Sequence, residues 1–513
     1  MKIKLIEMNK LSLSIIAAGF AVLLGSCKKS FLDINNDPNR PTETSITPDL
    51  ALAAQLNNSV ARNATAYDFL QRYMGYWSAS GTYSRATVEM SYNITNDFGT
   101  GIWNGIYYSV SQYKSIEKKS NELGWKFYEG ISKIMQAHEM GVLVDVYGNV
   151  PYSKAFDLIG NIRPAYDNGE DVYKALIPLI DEGLALIKAA DVDKNIASQD
   201  IIFKGVKADW AKFANTLKLR LLIHTSKTTT FDRAAEIAKI VAEGSGFLGD
   251  GKGAMSNPGY TEDKGNPFYR SHLFLSNGNE ADNYNRANNF SLNLMKSLED
   301  FRYKRVYRVA KALPKEFRGT DYGANPSDDV NADRTSGPGY GFATSTSSMW
   351  LLTSVEANFL VAEATARGWL TGDAQAVYKK AVKESFVFLK AIRDTIFKVN
   401  EPTKDSVVFT PEQTADIYLA NPDSRIAWPA TQEAQIAVIA WQKYFALNGI
   451  QANETWVDYR RLGVVQPPLS IAPERGTNPI PRRLLYPSTE YQYNKENAPS
   501  GINQFTSKIF WDK

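Results

Sequence analysis

The sequence has one cysteine, three histidines and almost no net charge. A single cysteine excludes an internal disulfide and a cysteine-based zinc site. The three histidines, His138, His224 and His272, lie too far apart to form a local metal motif. The 58 basic residues nearly balance the 55 acidic ones, giving +3, so no basic excess marks a nucleic-acid partner. No apolar run approaches the ~20 residues that a membrane-spanning helix needs. What is present is the composition of a folded body. A hydrophobic content of 44% with 22% charged residues excludes a largely disordered chain, a collagen-like fibre and a coiled-coil rod. At ~150 residues per domain the length allows up to about three domains. Aromatic residues are abundant, with 27 Tyr, 24 Phe and 10 Trp. Tyrosine is the ring that best tolerates a half-wet position.

The N-terminus reads as an address. Lys2, Lys4 and Lys10 precede an uncharged, mostly apolar run from Leu11 to Leu24. That pattern is a secretory signal peptide, too short for an anchor. Leu24-Gly25-Ser26-Cys27 follows and resembles the bacterial lipobox, in which a lipid is attached to the cysteine sulfur before cleavage. The alternative is an ordinary signal peptide with a chance cysteine. Residues 1–26 are therefore expected to be removed, and Cys27 to carry acyl chains. Each buried methylene contributes ~0.8 kcal/mol to membrane binding. Residues 27–46, rich in Asn, Asp and Pro, read as an extended tether.

Residues 47–513 read as one all-α domain. Helical periodicity starts at Pro48 and recurs at 102–121, 127–146, 170–189, 204–225, 231–243, 347–368, 371–391, 411–420 and 431–448. Ser348–Trp369 and Ala374–Lys390 are expected to form an antiparallel pair joined by Leu370–Asp373. Ala362, Ala364, Ala366, Ala374, Ala376 and Ala381 are its small residues, as in tetratricopeptide-like pairs. No strict repeat is visible, so an ordinary bundle stays open. Two stretches, about 244–290 and 318–346, interrupt the helices with Gly, Asn and aromatic residues. Loops this long are uncommon without a purpose, and the aromatic content argues against disorder. They are expected to form irregular insertions that carry a binding surface.

Catalytic motifs fail one by one. His138-Glu139 begins like a zinc-protease helix, but Val142 stands where the second histidine belongs. Gly246 to Lys252 has the spacing of a phosphate loop, but Gly253 replaces the required Ser or Thr. Asp191-Val192-Asp193 opens like a calcium loop, but Ile196 and Ile202 occupy the Gly and Glu positions. A glycosidase pair of carboxylates leaves no short motif, so that reading stays open without support. No cofactor or metal is expected.

Several segments together resemble the SusD/RagB family of outer-membrane lipoproteins from Bacteroidetes. They are Cys27-Lys-Lys-Ser-Phe31-Leu32-Asp33 with Asn35-Asn36-Asp37-Pro38, Asp145-Val-Tyr147-Gly148-Asn-Val150-Pro151-Tyr152-Ser153, and Glu356 with Ala362-Glu363-Ala364. Trp456-Val-Asp458-Tyr459-Arg460-Arg461, Ile480-Pro481-Arg482-Arg483-Leu484 and Asn494 with Asn497 complete the set. The resemblance runs from residue 27 to about 497 and is nearest the second SusD-like subfamily. It implies a non-enzymatic, outward-facing lipoprotein built on tetratricopeptide-like helix pairs. Such proteins sit on a SusC-like TonB-dependent barrel, capture starch-like or other glycans, or in some members peptides, and pass them on. The quoted motifs look structural. The paired arginines 460–461 and 482–483 read as salt-bridged groups.

Sugar rings stack their C–H faces on aromatic rings, and their hydroxyls need amide or charged partners. Candidate ligand residues are therefore Trp77 and Tyr83 after the first helix, Asn283, Tyr284 and Asn285, Tyr340, and Trp350 at an expected helix start. Trp103, Trp210 and Trp441 read as core. The competing ligand is an oligopeptide, and the minor alternative is a glycosidase.

Overall fold

Helix formation in this chain follows its apolar spacing. The structure is a computed structural model that describes residues 47–157, 160–339, 341, 343–393 and 409–512. Cys27 and Tyr340 lie outside the described residues. About half of the chain is helical, and among the described residues strands form only two sheets of two strands each. The fold is an all-α scaffold. The longer helices are α1 (Pro48–Arg62), α2 (Thr100–Leu123), α3 (Lys126–Tyr147), α4 (Gly169–Lys188), α5 (Lys207–His224) and α6 (Arg233–Glu243). They continue with α7 (Asn289–Ser297), α8 (Ser354–Ala366), α9 (Ala374–Leu389), α10 (Pro411–Leu419), α11 (Gln432–Ala446) and α12 (Ala452–Leu462). The strands are β1 (Trp77–Ala79), β2 (Ala254–Ser256), β3 (Asn285–Ala287) and β4 (Met349–Leu352).

Helix α3 is the axis of the first half. Every residue from Phe127 to Tyr147 except Lys133 is buried. It packs on α2 and on α4. The turn from α2 is set by Gly124, whose φ of 70° suits glycine, and by the Trp125 N–H donating to the Ser120 carbonyl at 2.8 Å. The crossing with α4 depends on two glycines that face each other. A Cβ on Gly130 would sit 2.5 Å from the Gly183 carbonyl, and one on Gly183 would sit 2.7 Å from that of Gly130. In the second half, α8 and α9 form the expected helix pair, and α8 also contacts α5 and α11. Trp210 is fully buried, Trp103 is buried, and Trp441 packs against the core.

One boundary differs from expectation. Residues 349–352 are not helical. They form β4, which pairs antiparallel with β2 and is buried along its whole length. Helix α8 starts only at Ser354, where the Thr353 hydroxyl accepts the Glu356 N–H at 3.1 Å. The run Met-Trp-Leu-Leu is apolar throughout and carries no period that separates strand from helix. Helix α12 also lies where no helix was expected.

The family-like motifs converge in the core. Arg461 donates to Glu363 at 2.5 and 2.8 Å and to Asp458 at 2.7 Å. Lys443 pairs with Asp458 at 3.0 Å, Arg220 with Glu356 at 3.3 Å, and His224 with Glu454 at 3.1 Å. His138 is buried with Nδ1 at 2.8 Å from Arg220, and burial, then the charges of Arg220 and Arg62, push it well below the usual histidine range. Of the paired arginines, Arg461 and Arg482 are ion-paired as expected, whereas Arg483 donates to the Leu484 carbonyl at 3.1 Å and lies 4.7 Å from the Tyr486 ring centre. Arg460 differs: it lies 3.6 Å from the Trp456 ring centre and 4.7 Å from that of Trp511, and bonds to backbone carbonyls.

Candidate functional site

Strand β1 pairs antiparallel with β3, matching Trp77 to Ala287, Ser78 to Arg286 and Ala79 to Asn285. The pairing extends one step, with the Ser80 N–H donating to the Tyr284 carbonyl at 2.8 Å. It brings the loop after β1 against the loop before β3. A third segment closes over both. The Gly81 N–H donates to the Val330 carbonyl at 2.7 Å, and the Ala332 N–H donates to the Thr82 hydroxyl at 2.9 Å. Gly81 permits this approach, since a Cβ there would lie 2.7 Å from the Ser327 carbonyl oxygen. Arg85 adds a bond to Glu474 at 2.7 Å and a contact with Asn325.

Two rings stand at this corner. Tyr83 and Tyr284 lie 5.7 Å apart at 59°, and Tyr83 is 44% exposed. Tyr284 is half-buried and Asn283 is exposed. The Arg72 guanidinium lies 5.4 Å from the centre of the Tyr284 ring, a cation–π contact that fixes the ring from behind. Arg72 in turn donates to Glu89 at 2.8 Å and to the Asn285 amide oxygen, and the Tyr322 hydroxyl donates to Glu89 at 2.8 Å.

Asp282 sets the loop. Its Oδ1 accepts the N–H groups of Tyr284 and Asn285 at 2.8 and 2.9 Å. Its Oδ2 accepts from His272 Nδ1 and from the Asn285 amide, each at 2.8 Å. His272 Nε2 donates to the Ala64 carbonyl at 2.8 Å, so both ring nitrogens act as donors and the ring is an imidazolium. Burial opposes that charge, but hydrogen bonds donated to Asp282 and Asp68 outweigh it and hold the group up at about 10. Burial would raise Asp282, yet its bond to His272 holds it down at about 2.

The sequence candidates separate cleanly. Tyr83, Asn283 and Tyr284 come together on one surface. Asn285 is buried and belongs to the support beneath them. Trp77 is 1% exposed and Trp350 fully buried, so neither ring is available to a surface ligand. Trp77 faces inward against His272, and Trp350 donates to the Ile450 carbonyl from within β4. Sequence reasoning missed Arg72, His272, Asp282 and Arg286. For Asp282 and Arg286 the visible signal was their place among Tyr and Asn residues in 280–290, whereas Arg72 and His272 lie outside that stretch. The pairing with β1 carried no local sign.

Among the described residues, cavities of about 470 and 720 Å³ lie away from this corner, one beside Trp125 and Tyr128, the other beside Phe231 and Trp369. No group of histidine, cysteine, aspartate and glutamate among the described residues is arranged to hold a metal ion. The loop at Gly249–Lys252 closes as a turn before β2, and Lys252 pairs with Asp209, which is not a phosphate cradle.

A family model described as starch-binding, associating with outer membrane, matches residues 38–487. No curated protein matches the chain. Among solved structures, a SusD homologue from Bacteroides fragilis is 21% identical, with a TM-score of 0.72, and the match covers 91% of this chain and all of that one. A chitin-binding SusD homologue from Flavobacterium johnsoniae is 23% identical, with a TM-score of 0.72, covering 91% and 98%. A SusD homologue from Bacteroides uniformis is 22% identical, with a TM-score of 0.68, covering 90% and 99%.

Proposed function

The chain belongs to the second SusD-like family, and from that premise we propose that it captures oligosaccharides at the outer membrane without chemistry and passes them to a SusC-like TonB-dependent barrel. The observation that carries the reading is the exposed Tyr83–Tyr284 pair, held from beneath by buried charge. A sugar face stacks on such rings, and the neighbouring Asn283 and Thr82 supply hydrogen-bond partners for hydroxyls. Cys27, once acylated, tethers the body to the membrane facing outward.

Isothermal titration against a glycan panel and a peptide pool tests the ligand class. Binding of glycans that is lost in Tyr83→Ala supports the reading. Binding of peptides alone transfers the role to the oligopeptide alternative, and release of reducing ends by the purified protein contradicts a non-catalytic role. Cys27→Ala is expected to leave the protein soluble, and its continued sedimentation with outer membrane contradicts the anchor.

A further inference from the structure

Arg286 lies on β3 directly beneath the corner and is fully buried. Its Nη1 donates to the carbonyls of Asp282 and Asn285 at 3.0 and 2.7 Å, and its Nε has no partner. Among the described residues no carboxylate lies within ion-pairing distance of it. Arg308 is its neighbour, since a Cβ on Gly337 would lie 2.7 Å from Arg308 Nε and 3.0 Å from Arg286 Nη1. Arg308 pairs with Glu280 at 3.0 Å and leaves Nη1 without a partner. Burial, then the charge of Arg308, pulls Arg286 down to about 10, so it is still a cation at neutral pH.

The other two fully buried arginines, Arg302 and Arg461, are paired with carboxylates, although Arg461 Nε also has no partner. Arg302 has Asp300 at 2.6 Å, and Arg461 has Glu363 and Asp458. Arg460 lacks a carboxylate at bonding distance but is sandwiched between two indoles. Leaving a buried charge without its partner is costly, and anions that complete it are bound strongly. Arg286 touches one residue that solvent reaches. Its Nη2 contacts only the amide oxygen of exposed Asn283, at 3.3 Å. A neutral contact of that length is weaker than the charge-assisted pair a carboxylate makes with the planar guanidinium.

Resting on the glycan-binding reading, we propose that the corner selects sugars bearing a carboxylate. A uronic-acid unit stacks beside Tyr83 and Tyr284, displaces the Asn283 amide and pairs with Arg286. The free C-terminus of a peptide offers the same group, so the test has to separate the two sources.

The full-length protein is titrated with oligogalacturonides, oligoglucuronates, neutral oligosaccharides of equal length, and one pentapeptide with free and amidated C-termini. A uronide is expected to bind at least tenfold more tightly than its neutral counterpart, with the advantage shrinking as salt is added. Asn283→Asp places a resident carboxylate on Arg286 and is expected to reduce the uronide-to-neutral ratio at least tenfold. Arg286→Gln is expected to do the same, and the surface Asn283 variant keeps the test open if the buried one does not fold. Neutral sugars bound as well as uronides overturn the acid selectivity and leave the glycan reading standing. Binding of the free-acid peptide and of no sugar overturns the glycan reading, and no binding at all overturns both.

Discussion

Arg461 in the helical core and Arg286 in the loop corner are both fully buried, yet their surroundings differ. Arg461 is held by two carboxylates in a network that joins α8, α11 and α12. Arg286 is held by backbone carbonyls and one amide. The core closes Arg461 with carboxylates. The corner has left a cation beneath exposed rings. Structural motifs cluster where the charge is closed, and binding is expected where it is open.

The comparison breaks most severely if the core loses a carboxylate. Glu363→Ala leaves Arg461 with Asp458 alone and is expected to destabilise the protein by about 3–5 kcal/mol, read from urea unfolding. An effect below ~1 kcal/mol would mean that the core is as open as the corner.

Alkaline pH acts on both regions. Burial opposes charge on His224, but Asp145 and Glu454 hold it up at about 9, while His272 sits at about 10. Both folded values lie above the unfolded value of ~6.5. Their stabilisation is therefore complete below pH ~6.5 and is lost as pH rises through 9 and 10. His272→Gln is expected to reduce the slope of this fall in melting temperature from pH ~6.5 upward and to remove what remains of it between about 9 and 10. Asp282 works in the opposite sense: its contribution is present above ~3.9 and is lost as pH falls through about 2.

Packing comes next. Gly130→Ala forces α3 away from the Gly183 carbonyl and is expected to cost about 1–3 kcal/mol in thermal unfolding, despite the better helix propensity of alanine. Tyr83→Ala is expected to weaken glycan binding about tenfold, or ~1.4 kcal/mol, with an unchanged melting point, because the ring is largely exposed. Trp125→Ala, beside the cavity on the helical body, is expected to leave that affinity unchanged. The smallest effect is expected at the surface pair Arg85–Glu474, where Glu474→Gln leaves the melting temperature nearly unchanged.

The helical body was legible because its buried faces repeat every three to four residues, as Ile102, Ile106, Val110 and Tyr113 do along α2. Met349–Leu352 was misread because an all-apolar run has no phase. The corner was legible in part. Tyr83 and Tyr284 stood out as aromatics among polar loop residues. Trp77 and Trp350 stood out for the same reason and proved buried, since a tryptophan among Gly, Ser and Thr looks alike whether it faces water or core. The pairing of β1 with β3, and the His272–Asp282 support, rest on contacts between distant segments that no local window contains.

The pairing of β1 with β3 matches Trp77 to Ala287, and just past it the Asn288 amide bonds to the Trp77 carbonyl across 211 positions of chain. A chain that emerges N-terminus first makes Tyr83 long before its companion Tyr284 exists. Closing so large a loop is an entropic burden that is repaid only after the intervening helices have condensed. The proposed recognition surface is therefore assembled late. A half-made polypeptide carries one orphan ring until the scaffold behind it has set.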